Sequence, residues 1–430
     1  MNRRSLAFPA PWLMALALSV RLASAAELSA DERRIVGYVD EHQDAIGALL
    51  EQSVRIDSAT ENLAGVKRAG AFYRSELDQL GFATRWIEMP PEIKRAGHLF
   101  AERTGSRGKR LLLIGHVDTV LPGGTFRRDG DKAYGAGGGD MKGGDTVLLM
   151  ALRTLHSIGA LDGTQLIVAL TGDEESAGHP IAISRRDLID AAKRSDLALG
   201  FENAVRDTAT VARRGSSNWR LEVTGIQAHS AGIFSAAVGD GAIYEAARIL
   251  NAFREGLRTE DGLTFNPSVI VGGTDVTLEG TEGKGGTAAG KGNVIAREAI
   301  VKGDLRFSSA EQLTRARAKM TTIVAKSLRR TSARITFEDS YPAMESTPQS
   351  LALLAQLDQV SRDLGYGKVA VCDPKDRGAG DVSFVAPIIP SLDGLGARGG
   401  GAHTPRDYAD LKSMPELVKR TAILIYRLTR

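Results

Sequence analysis

Residues 111–118 read LLLIGHVD, an apolar run that ends in a histidine and an aspartate. A glycine-rich stretch follows, and residues 143–158 then carry apolar side chains at helical spacing. Two further apolar runs, 166–170 and 197–201, are short enough to be buried strands. Strands that alternate with helices indicate a mostly parallel α/β sheet that is covered on both faces. We therefore predict an α/β fold around this stretch.

A different pattern begins near residue 210. The order of its predicted elements is β-α-β-β-α-β, which is typical of a ferredoxin-like module. The α/β pattern resumes after about residue 342, so we predict that the module is inserted in the larger domain. Residues 272–292 are rich in Gly, Thr and Lys, and we predict a long mobile loop there. The predicted module elements are strands 219–224, 263–271, 294–307 and 334–338 and helices 235–253 and 310–328.

The composition excludes several classes of protein. The chain has 430 residues and a formal net charge of only +3, and no basic block is interleaved with aromatic residues. We therefore expect no binding of nucleic acid. The single cysteine, Cys372, excludes an intramolecular disulfide framework and a cysteine-rich zinc site.

The first 25 residues differ from the rest of the chain. Arg3 and Arg4 precede an apolar stretch, and Ala23, Ser24 and Ala25 form a small-residue cleavage site. This pattern predicts a signal peptide at residues 1–25 and a periplasmic or secreted protein, with an uncleaved amphipathic anchor as the alternative. No later run approaches the ~20 apolar residues of a membrane span, so we expect no stable membrane anchor.

Histidines and carboxylates follow three of the predicted strands. Ligands of open α/β sheets gather at the carboxyl ends of the strands, so we expect these side chains to lie close together. Imidazole and carboxylate groups suit zinc, and a bridging carboxylate lets two ions sit ~3.5–4 Å apart. The residues concerned are His116, Asp118, Glu174, Glu175 and Glu202.

The surrounding sequence suggests how these groups divide the work. Asp140 is the candidate for a bridging ligand, because its setting, GAGGGDMKGG, lets the backbone bend sharply. Asp118 points the same way as His116 along an extended strand, and its carboxylate can accept a hydrogen bond from the imidazole. Glu174 and Glu175 are adjacent and cannot easily bind the same ion. One of them is expected to be a ligand and the other a general base.

Five motifs occur together in this chain: HVDTV, GGGDMKGG, TGDEES, GFEN and GGAHTPRDY. They resemble those of the co-catalytic zinc metallopeptidases of the aminoacylase/carboxypeptidase family, and most of all the periplasmic glutamate carboxypeptidases that cleave folates. The resemblance covers nearly all of the chain after the signal peptide. It implies a catalytic domain built from residues 26–209 and 343–430, with a lid and dimerisation domain at 210–342.

The resemblance also implies the ligands of two zinc ions per subunit. One carboxylate would be shared between the ions. His116, Asp140 and Glu202 would hold one zinc ion, and Asp140, Glu175 and His403 would hold the other.

Three further roles follow from the same resemblance. Asp118 would orient His116. Glu174 would be the general base that takes a proton from the metal-bridging water and later delivers it to the leaving amine. The peptide bond after the bridging aspartate is often cis in this family, so we expect a cis bond between Asp140 and Met141.

The inserted module matches the lid of this family at three positions. His229, in GIQAHSAG, matches the histidine that reaches a neighbouring subunit's site and stabilises the oxyanion, which implies a homodimer through the lid. Asn293 and Arg306 match residues that grip the terminal carboxylate of the substrate. Arg213 and Arg214 precede the first strand of the module. They are expected to be a solvated hinge pair, or else a source of positive potential near an anionic substrate.

The function that the resemblance implies is that of a zinc-dependent metallo-exopeptidase acting on a small molecule. It would release a C-terminal amino acid, glutamate in the closest likeness, from a peptide, an N-acyl amino acid or a folate-like substrate. An N-acyl-amino-acid deacylase or a dipeptidase of the same fold is the alternative. A metal- or ligand-binding protein without turnover is a remote one, which the presence of Glu174 disfavours.

Overall fold

The computed structural model describes residues 27–279 and 285–430. The predicted signal peptide, residues 1–25, lies outside these described residues. The helices within them, numbered in chain order, are α1 (Ala30–Glu41), α2 (Gln43–Val54), α3 (Leu63–Gln79), α4 (Lys142–Ser157), α5 (Ile181–Ser184), α6 (Arg186–Lys193), α7 (Ala242–Leu257), α8 (Ala310–Val324), α9 (Pro348–Asp363), α10 (Val382–Val385) and α11 (Met414–Leu428).

The strands of the same residues are numbered in the same way. They are β1 (Ala83–Ile87), β2 (His98–Arg103), β3 (Arg107–His116), β4 (Arg127–Asp129), β5 (Lys132–Tyr134), β6 (Thr164–Thr171), β7 (Leu197–Gly200), β8 (Thr208–Ala209), β9 (Gly215–Thr224), β10 (Thr264–Gly273), β11 (Asp275–Glu279), β12 (Gly285–Ala289), β13 (Glu298–Phe307), β14 (Ser332–Asp339), β15 (Ala370–Val371), β16 (Ser391–Leu392), β17 (Gly399–Gly400) and β18 (Tyr408–Asp410).

The larger domain is built on a six-stranded sheet in the order β1-β2-β6-β3-β7-β16. The neighbours from β6 to β16 pair in parallel, and β2 is antiparallel to both of its neighbours. The apolar stretch of β3 and the whole of β7 are buried, as expected for strands covered on both faces. One core holds α4 and α11, and a second core lies against α6 and α10. The predicted mostly parallel α/β fold is confirmed.

Helix α1 shows how the local sequence decides where an element begins. The Ser29 hydroxyl accepts a hydrogen bond from the Glu32 amide at 3.2 Å, and the Glu32 carboxylate accepts one from the Ser29 amide at 2.7 Å. This reciprocal pair is a capping box. The helical pattern that starts at Ser29 is interrupted at His42, which ends α1 and precedes α2.

The inserted module contains a four-stranded antiparallel sheet in the order β10-β13-β9-β14. Helices α7 and α8 pack on one face of this sheet over a core that includes Trp219. Burial along β13 alternates residue by residue, so its other face is open. The chain order β9-α7-β10-β13-α8-β14 is the β-α-β-β-α-β order of the predicted ferredoxin-like lid.

Two details of the lid differ from the sequence prediction. Residues 272–292 include a paired hairpin, β11 with β12, where a loop was predicted. The alternation of Val, Thr and Leu in Asp275–Glu279 suits an exposed strand, but the surrounding glycines conceal it. Helix α7 begins at Ala242 instead of residue 235, because Gly241 at its N-terminus has a φ of 77° that other residues rarely adopt.

Two chain segments connect the lid to the larger domain. They pair with each other: Arg213 and Met344 exchange backbone hydrogen bonds at 2.9 and 3.0 Å, and the Ser216 amide donates to the Tyr341 carbonyl at 2.8 Å. The hinge of the lid is therefore a short two-stranded ribbon. None of the helices in the described residues is long and apolar enough to cross a membrane.

Candidate metal centre

The parallel strands β6, β3 and β7 bring most of the predicted site together. They are neighbours in the sheet, so their carboxyl ends lie side by side. His116 is the last residue of β3, Glu174 and Glu175 follow β6, and Glu202 follows β7. The rule that ligands collect at the carboxyl ends of such strands therefore accounts for their convergence.

Asp140 and His403 reach the same place from two loops. Strands β5 and β18 pair near these loops, and the Asp407 carboxylate accepts a hydrogen bond from the Gly139 amide at 2.9 Å. Helix α4 packs so closely on the chain after β7 that a side chain at Gly144 would collide with the Phe201 carbonyl. The glycine-rich sequence thus lets the Asp140 loop approach Glu202.

Asp140 lies between the two histidines. One carboxylate oxygen is 3.4 Å from Nε2 of His116, and the other is 3.4 Å from Nε2 of His403. Glu202 lies on the His116 side, with its Oε1 3.7 Å from Nε2 of that histidine. Glu175 lies on the His403 side, with Oε2 3.2 Å from Nε2. Asp140 thus lies between His116 with Glu202 on one side and His403 with Glu175 on the other, and the Asp140–Met141 peptide bond is cis.

Asp118 organises the groups behind this pair. Its Oδ1 accepts a hydrogen bond from the Glu174 amide at 3.0 Å, and its Oδ2 accepts from the Glu175 amide at 3.1 Å and from the Thr60 hydroxyl at 2.7 Å. Nδ1 of His116 lies 3.0 Å from the Asp118 carbonyl oxygen. A proton on Nδ1 completes that hydrogen bond and leaves Nε2 free to act as a ligand.

The electrostatics of the cluster show an excess of negative charge. Burial and the Asp140 carboxylate raise the pKa of Glu202 to about 8, and burial and Glu202 raise the pKa of Glu174 well above its usual value. Hydrogen bonds to Asp140 and Glu175 raise the pKa of His403 to about 10. Carboxylates that share a buried site resist ionising together unless a cation is present.

The histidine at the centre responds to the same charge. Burial alone would lower the pKa of His116, but the Asp118 and Asp140 carboxylates raise it well above its usual value. Burial would likewise raise the pKa of Asp140, but His116 and His403 hold it far below its usual range. The positive charge of the two protonated histidines thus balances part of the negative charge of the carboxylates in this structure.

The residues present fit divalent metal ions. Nε2 of His116 is buried and has no hydrogen-bond partner, although it faces two carboxylates. In each of two sets of three side chains, every residue offers one ligand atom, and the three atoms all lie within 4.8 Å of one another. These sets are His116 with Glu174 and Glu202, and His116 with Asp140 and Glu175. Nitrogen and oxygen donors in such sets are those that zinc prefers.

The two adjacent glutamates have different neighbouring side chains. Glu175 lies against His403 and Asp140. Glu174 lies in the set with His116 and Glu202, so distance alone would also allow it to be a ligand. The geometry brings both side chains to the centre and leaves their assignment as base and ligand a prediction.

The three predicted lid residues do not lie together. His229 forms a β-bridge with Val294, and the Asn293 carbonyl accepts a hydrogen bond from the Ser230 amide at 2.9 Å, so His229 and Asn293 are neighbours. Arg306 lies at the other end of β13, where it pairs with Ser216 at the hinge. Its guanidinium is bonded to Asp304 at 3.0 Å on the open face of the sheet.

This separation has a measurable size. Eight residue steps separate Glu298 from Arg306 within β13. At ~3.4 Å per residue, the two ends of the strand are roughly 27 Å apart. Asn293 precedes β13 and Arg306 lies near its other end, so the two residues are at opposite ends of this strand.

Other contributors to the site were not singled out from the sequence. Thr60 and Asp407 hold Asp118 and the Asp140 loop, as described above. Asp407 lies within the motif GGAHTPRDY, which could have indicated it, whereas nothing in the sequence around Thr60 does. Arg213 is buried and paired with Asp393 at 2.7 Å, so the expectation of a solvated hinge pair is wrong for it.

The comparison with known sequences decides the family. The model of peptidase family M20/M25/M40 matches residues 112–427. The chain belongs to this family. It is therefore a hydrolase of the metallopeptidase class, and the predicted resemblance is confirmed. Carboxypeptidase G2 of Pseudomonas sp. (strain RS-16) is 28% identical over 413 residues, which cover 90% of this chain and 89% of that protein.

Other M20 relatives cover less of the chain or share only its fold. A succinyl-diaminopimelate desuccinylase of Gluconobacter oxydans (strain 621H) is 32% identical over 199 residues, 43% of this chain and 50% of that protein. Aminopeptidase PepT of Bacillus cereus superposes with a TM-score of 0.72 at 15% identity, over 90% of this chain and 99% of that one. An M20 metallo-carboxypeptidase of Sulfolobus solfataricus gives a TM-score of 0.64 at 14% identity, over 89% and 99%.

Proposed function

We propose that this M20 protein is a two-zinc exopeptidase that hydrolyses the amide bond before a C-terminal amino acid and releases glutamate. The observation that carries the proposal is the position of Asp140, which turns one carboxylate oxygen to His116 and the other to His403. A shared carboxylate between two donor sets is what a pair of cations requires. The likeness to carboxypeptidase G2 over 90% of the chain supports the carboxypeptidase direction.

The proposed ligands are those that the resemblance implies, and their side chains lie close together. When bound, zinc ions polarise the scissile carbonyl and lower the pKa of a water molecule. The zinc ion on the β3 side would be held by His116, Asp140 and Glu202, and the other by Asp140, Glu175 and His403.

Glu174 is the general base in this proposal. Its backbone amide is fixed by Asp118, so its carboxylate is presented to the centre from a rigid turn. In the absence of a metal ion, burial and Glu202 raise the pKa of Glu174 above its usual value. Glu174 takes the proton of the attacking water and gives it to the leaving amine. A positioned base of this kind contributes about 10²–10⁴-fold to the rate.

The lid completes the site from two chains. Arg306 lies at the hinge end of β13 and can serve the site of its own subunit by binding the terminal carboxylate of the substrate. His229 and Asn293 lie beyond the other end of that strand, whose ends are roughly 27 Å apart, so in this proposal they serve a partner's site.

The surface of the lid offers a place for the partner. Strand β10 is at the edge of the lid sheet, and Ile270 on it is 56% exposed. Three apolar side chains in or near α7 are at least half exposed: Phe234 at 56%, Ile243 at 50% and Tyr244 at 54%. An exposed apolar patch beside an open strand edge is suited to a twofold interface. The proposal therefore includes a homodimer through α7 and β10.

Export is a further part of the proposal. Residues 1–25 have the signal-peptide pattern, which would place the mature enzyme in the periplasm or outside the cell. Its substrates would then be small peptides, N-acyl amino acids or folate-like molecules present there.

The experiment for the proposed function is a release assay with zinc added to the metal-free protein. The panel would include N-acyl glutamates and folate-like glutamates, other N-acyl amino acids, dipeptides with a free amino group, and N-succinyl-diaminopimelate. We expect the highest kcat/KM for substrates that end in glutamate. Faster hydrolysis of dipeptides would favour the dipeptidase alternative, and preference for the succinyl substrate would favour a desuccinylase. No hydrolysis of any member would contradict the proposed function.

A further inference from the structure

A buried network lies beneath the loop that carries Glu174. Its centre is Arg185, whose side chain is fully buried. The guanidinium donates to the Asp173 carboxylate at 2.6 Å through Nη1 and to the Asp381 carboxylate at 2.7 Å through Nε. Its Nη2 donates to the Asp173 carbonyl at 3.1 Å and to the Tyr341 hydroxyl at 2.9 Å. Every nitrogen of the Arg185 guanidinium is thus hydrogen-bonded, to the site loop, to the hinge or to Asp381 at the start of α10.

Tyr341 joins this network to the base. Its hydroxyl accepts the hydrogen bond from Arg185 and donates one to the Glu174 carbonyl at 2.6 Å. The ring packs against Phe384 at 5.1 Å between centroids, and the guanidinium of Arg185 lies over both rings. This packing keeps the Tyr341 hydroxyl pointing at the Glu174 carbonyl.

The backbone of Tyr341 belongs to the hinge of the lid. Its carbonyl accepts a hydrogen bond from the Ser216 amide at 2.8 Å, and its amide donates to the Ser216 hydroxyl at 3.3 Å. Ser216 is the second residue of β9, the strand that leads into the lid. One residue therefore touches both the crossing into the lid and the peptide unit of Glu174.

We propose that Tyr341 and Arg185 are positioning residues that hold the backbone of Glu174 and tie it to the hinge of the lid. This inference rests on the proposed role of Glu174 as the base. A hydrogen bond from Tyr341 to the Glu174 carbonyl fixes the backbone on the C-terminal side of this residue, while Asp118 accepts from the Glu174 amide on the N-terminal side. A displacement of about 1 Å at such a group can cost about 10²-fold in rate.

The test uses Tyr341→Phe, because it removes the hydroxyl and keeps the ring. Replacing Arg185 would leave Asp173 and Asp381 as buried, unpaired carboxylates, which is strongly destabilising. Tyr341→Phe loses the hydrogen bonds to Arg185 and Glu174. The control is Tyr426→Phe, which loses a tyrosine hydrogen bond far from the site, to Asp31 at 2.8 Å between α11 and α1.

Two measurements would be made on the full chain. Amide hydrogen exchange of the metal-free protein should become about 10-fold faster at residues 172–178 and at the hinge in Tyr341→Phe, and not in the control. With zinc and a substrate of the release panel, kcat should fall about 10-fold while KM and the number of bound zinc ions stay unchanged.

Each outcome decides the inference. Unchanged hydrogen exchange at residues 172–178 in Tyr341→Phe would contradict the proposal that Tyr341 holds the Glu174 backbone, whether or not the wild-type protein hydrolyses the panel. Faster exchange with an unchanged kcat, or with a loss confined to KM, would overturn the positioning of the base. A wild-type protein without activity would contradict the proposed function alone. The exchange result would still decide whether Tyr341 holds the Glu174 backbone.

Discussion

At the scale of single residues, Asp118 connects the ligand side of the centre to the side of the proposed base. It accepts hydrogen bonds from the amides of both Glu174 and Glu175 and from Thr60, and its carbonyl faces Nδ1 of His116. Partners that orient metal ligands in this way tune metal affinity although they do not touch the ion. Asp118 is therefore predicted to matter for zinc binding more than its position behind the ligands suggests.

The corresponding prediction concerns Asp118→Asn. The NH2 of the new side-chain amide would face one of the two backbone donors. The amide of either Glu174 or Glu175 would therefore lose its hydrogen-bond acceptor. We expect zinc affinity to fall about 10–100-fold, measured by competition with a chelator of known affinity. Asp162→Asn is the control, because the Asp162 side chain is 82% exposed. Equal affinities for the wild type and Asp118→Asn would refute the orienting role.

The sequence predicted some of the site residues for physical reasons and missed others. His116, Glu174 and Glu202 follow apolar strands, and parallel strands put such residues on one edge. The glycines around Asp140 indicated it as a candidate, whereas His403 lies in a distant loop whose path no periodicity reveals, so its place depended on the family motifs. Arg185 and Tyr341 were not predicted at all, since they are 156 residues apart in the chain and meet only in the folded protein.

At the scale of elements, one residue, Glu32, both caps the N-terminus of α1 and links α1 to the last helix, α11. The Glu32 carboxylate accepts from the Ser29 amide and also pairs with Arg427 of α11 at 2.7 Å. Burial would raise the pKa of Glu32, but Arg427 and Ser29 hold it below its usual value. A carboxyl group whose pKa is lowered by folding stabilises the fold above its unfolded pKa, and this stabilisation is lost as pH falls through the folded pKa.

Glu32→Gln should therefore reduce stability in a pH-dependent way. We expect a loss of about 1 kcal/mol near pH 7, because the ion pair with Arg427 is replaced by a hydrogen bond from the guanidinium to a neutral amide. Near pH 3.5, below the ordinary pKa of a glutamate, the difference should shrink, because the wild-type carboxyl group then binds a proton more readily in the unfolded chain than in the fold. Unfolding midpoints of the metal-free proteins at both pH values would measure it. Glu27→Gln, at a side chain 97% exposed, is the control, and a loss of equal size at both pH values would contradict the assignment.

The predicted elements differ in how well the sequence defines them. Strands β3, β6 and β7 each contain a continuous apolar run, and both the cap at Ser29 and the order of the lid elements can be read directly. The hairpin of β11 and β12 was missed because Gly and Thr dominate its sequence and β12 is largely exposed. Its strands are stabilised by pairing with each other, which a pattern of burial cannot reveal.

At the scale of the whole molecule, the lid separates two groups of functional residues. Arg306 stays at the hinge, and His229 and Asn293 are at the far end of β13. The proposed dimer explains this separation, because each far end would then complete the site of the other subunit. An enzyme of this design has no complete site in a single chain.

Mixing two inactive variants tests the design. Glu174→Ala lacks the base, and His229→Ala lacks the group that would reach the partner. If His229 acts in the partner's site, a dimer of one chain of each kind has one complete site. Random pairing after co-expression of differently tagged chains should restore about a quarter of the wild-type activity. Activity no higher than the average of the two parent variants would exclude a shared site.

The central claim is that two zinc ions sit on either side of Asp140 and that Glu174 supplies the base. The most direct measurement is made on Glu174→Ala: the number of zinc ions per chain and the rate of glutamate release are determined on the same sample. The account predicts two bound zinc ions and a release rate at least about 10²-fold below the wild type. Wild-type release in this variant, or the loss of one zinc ion together with Glu174, would contradict it.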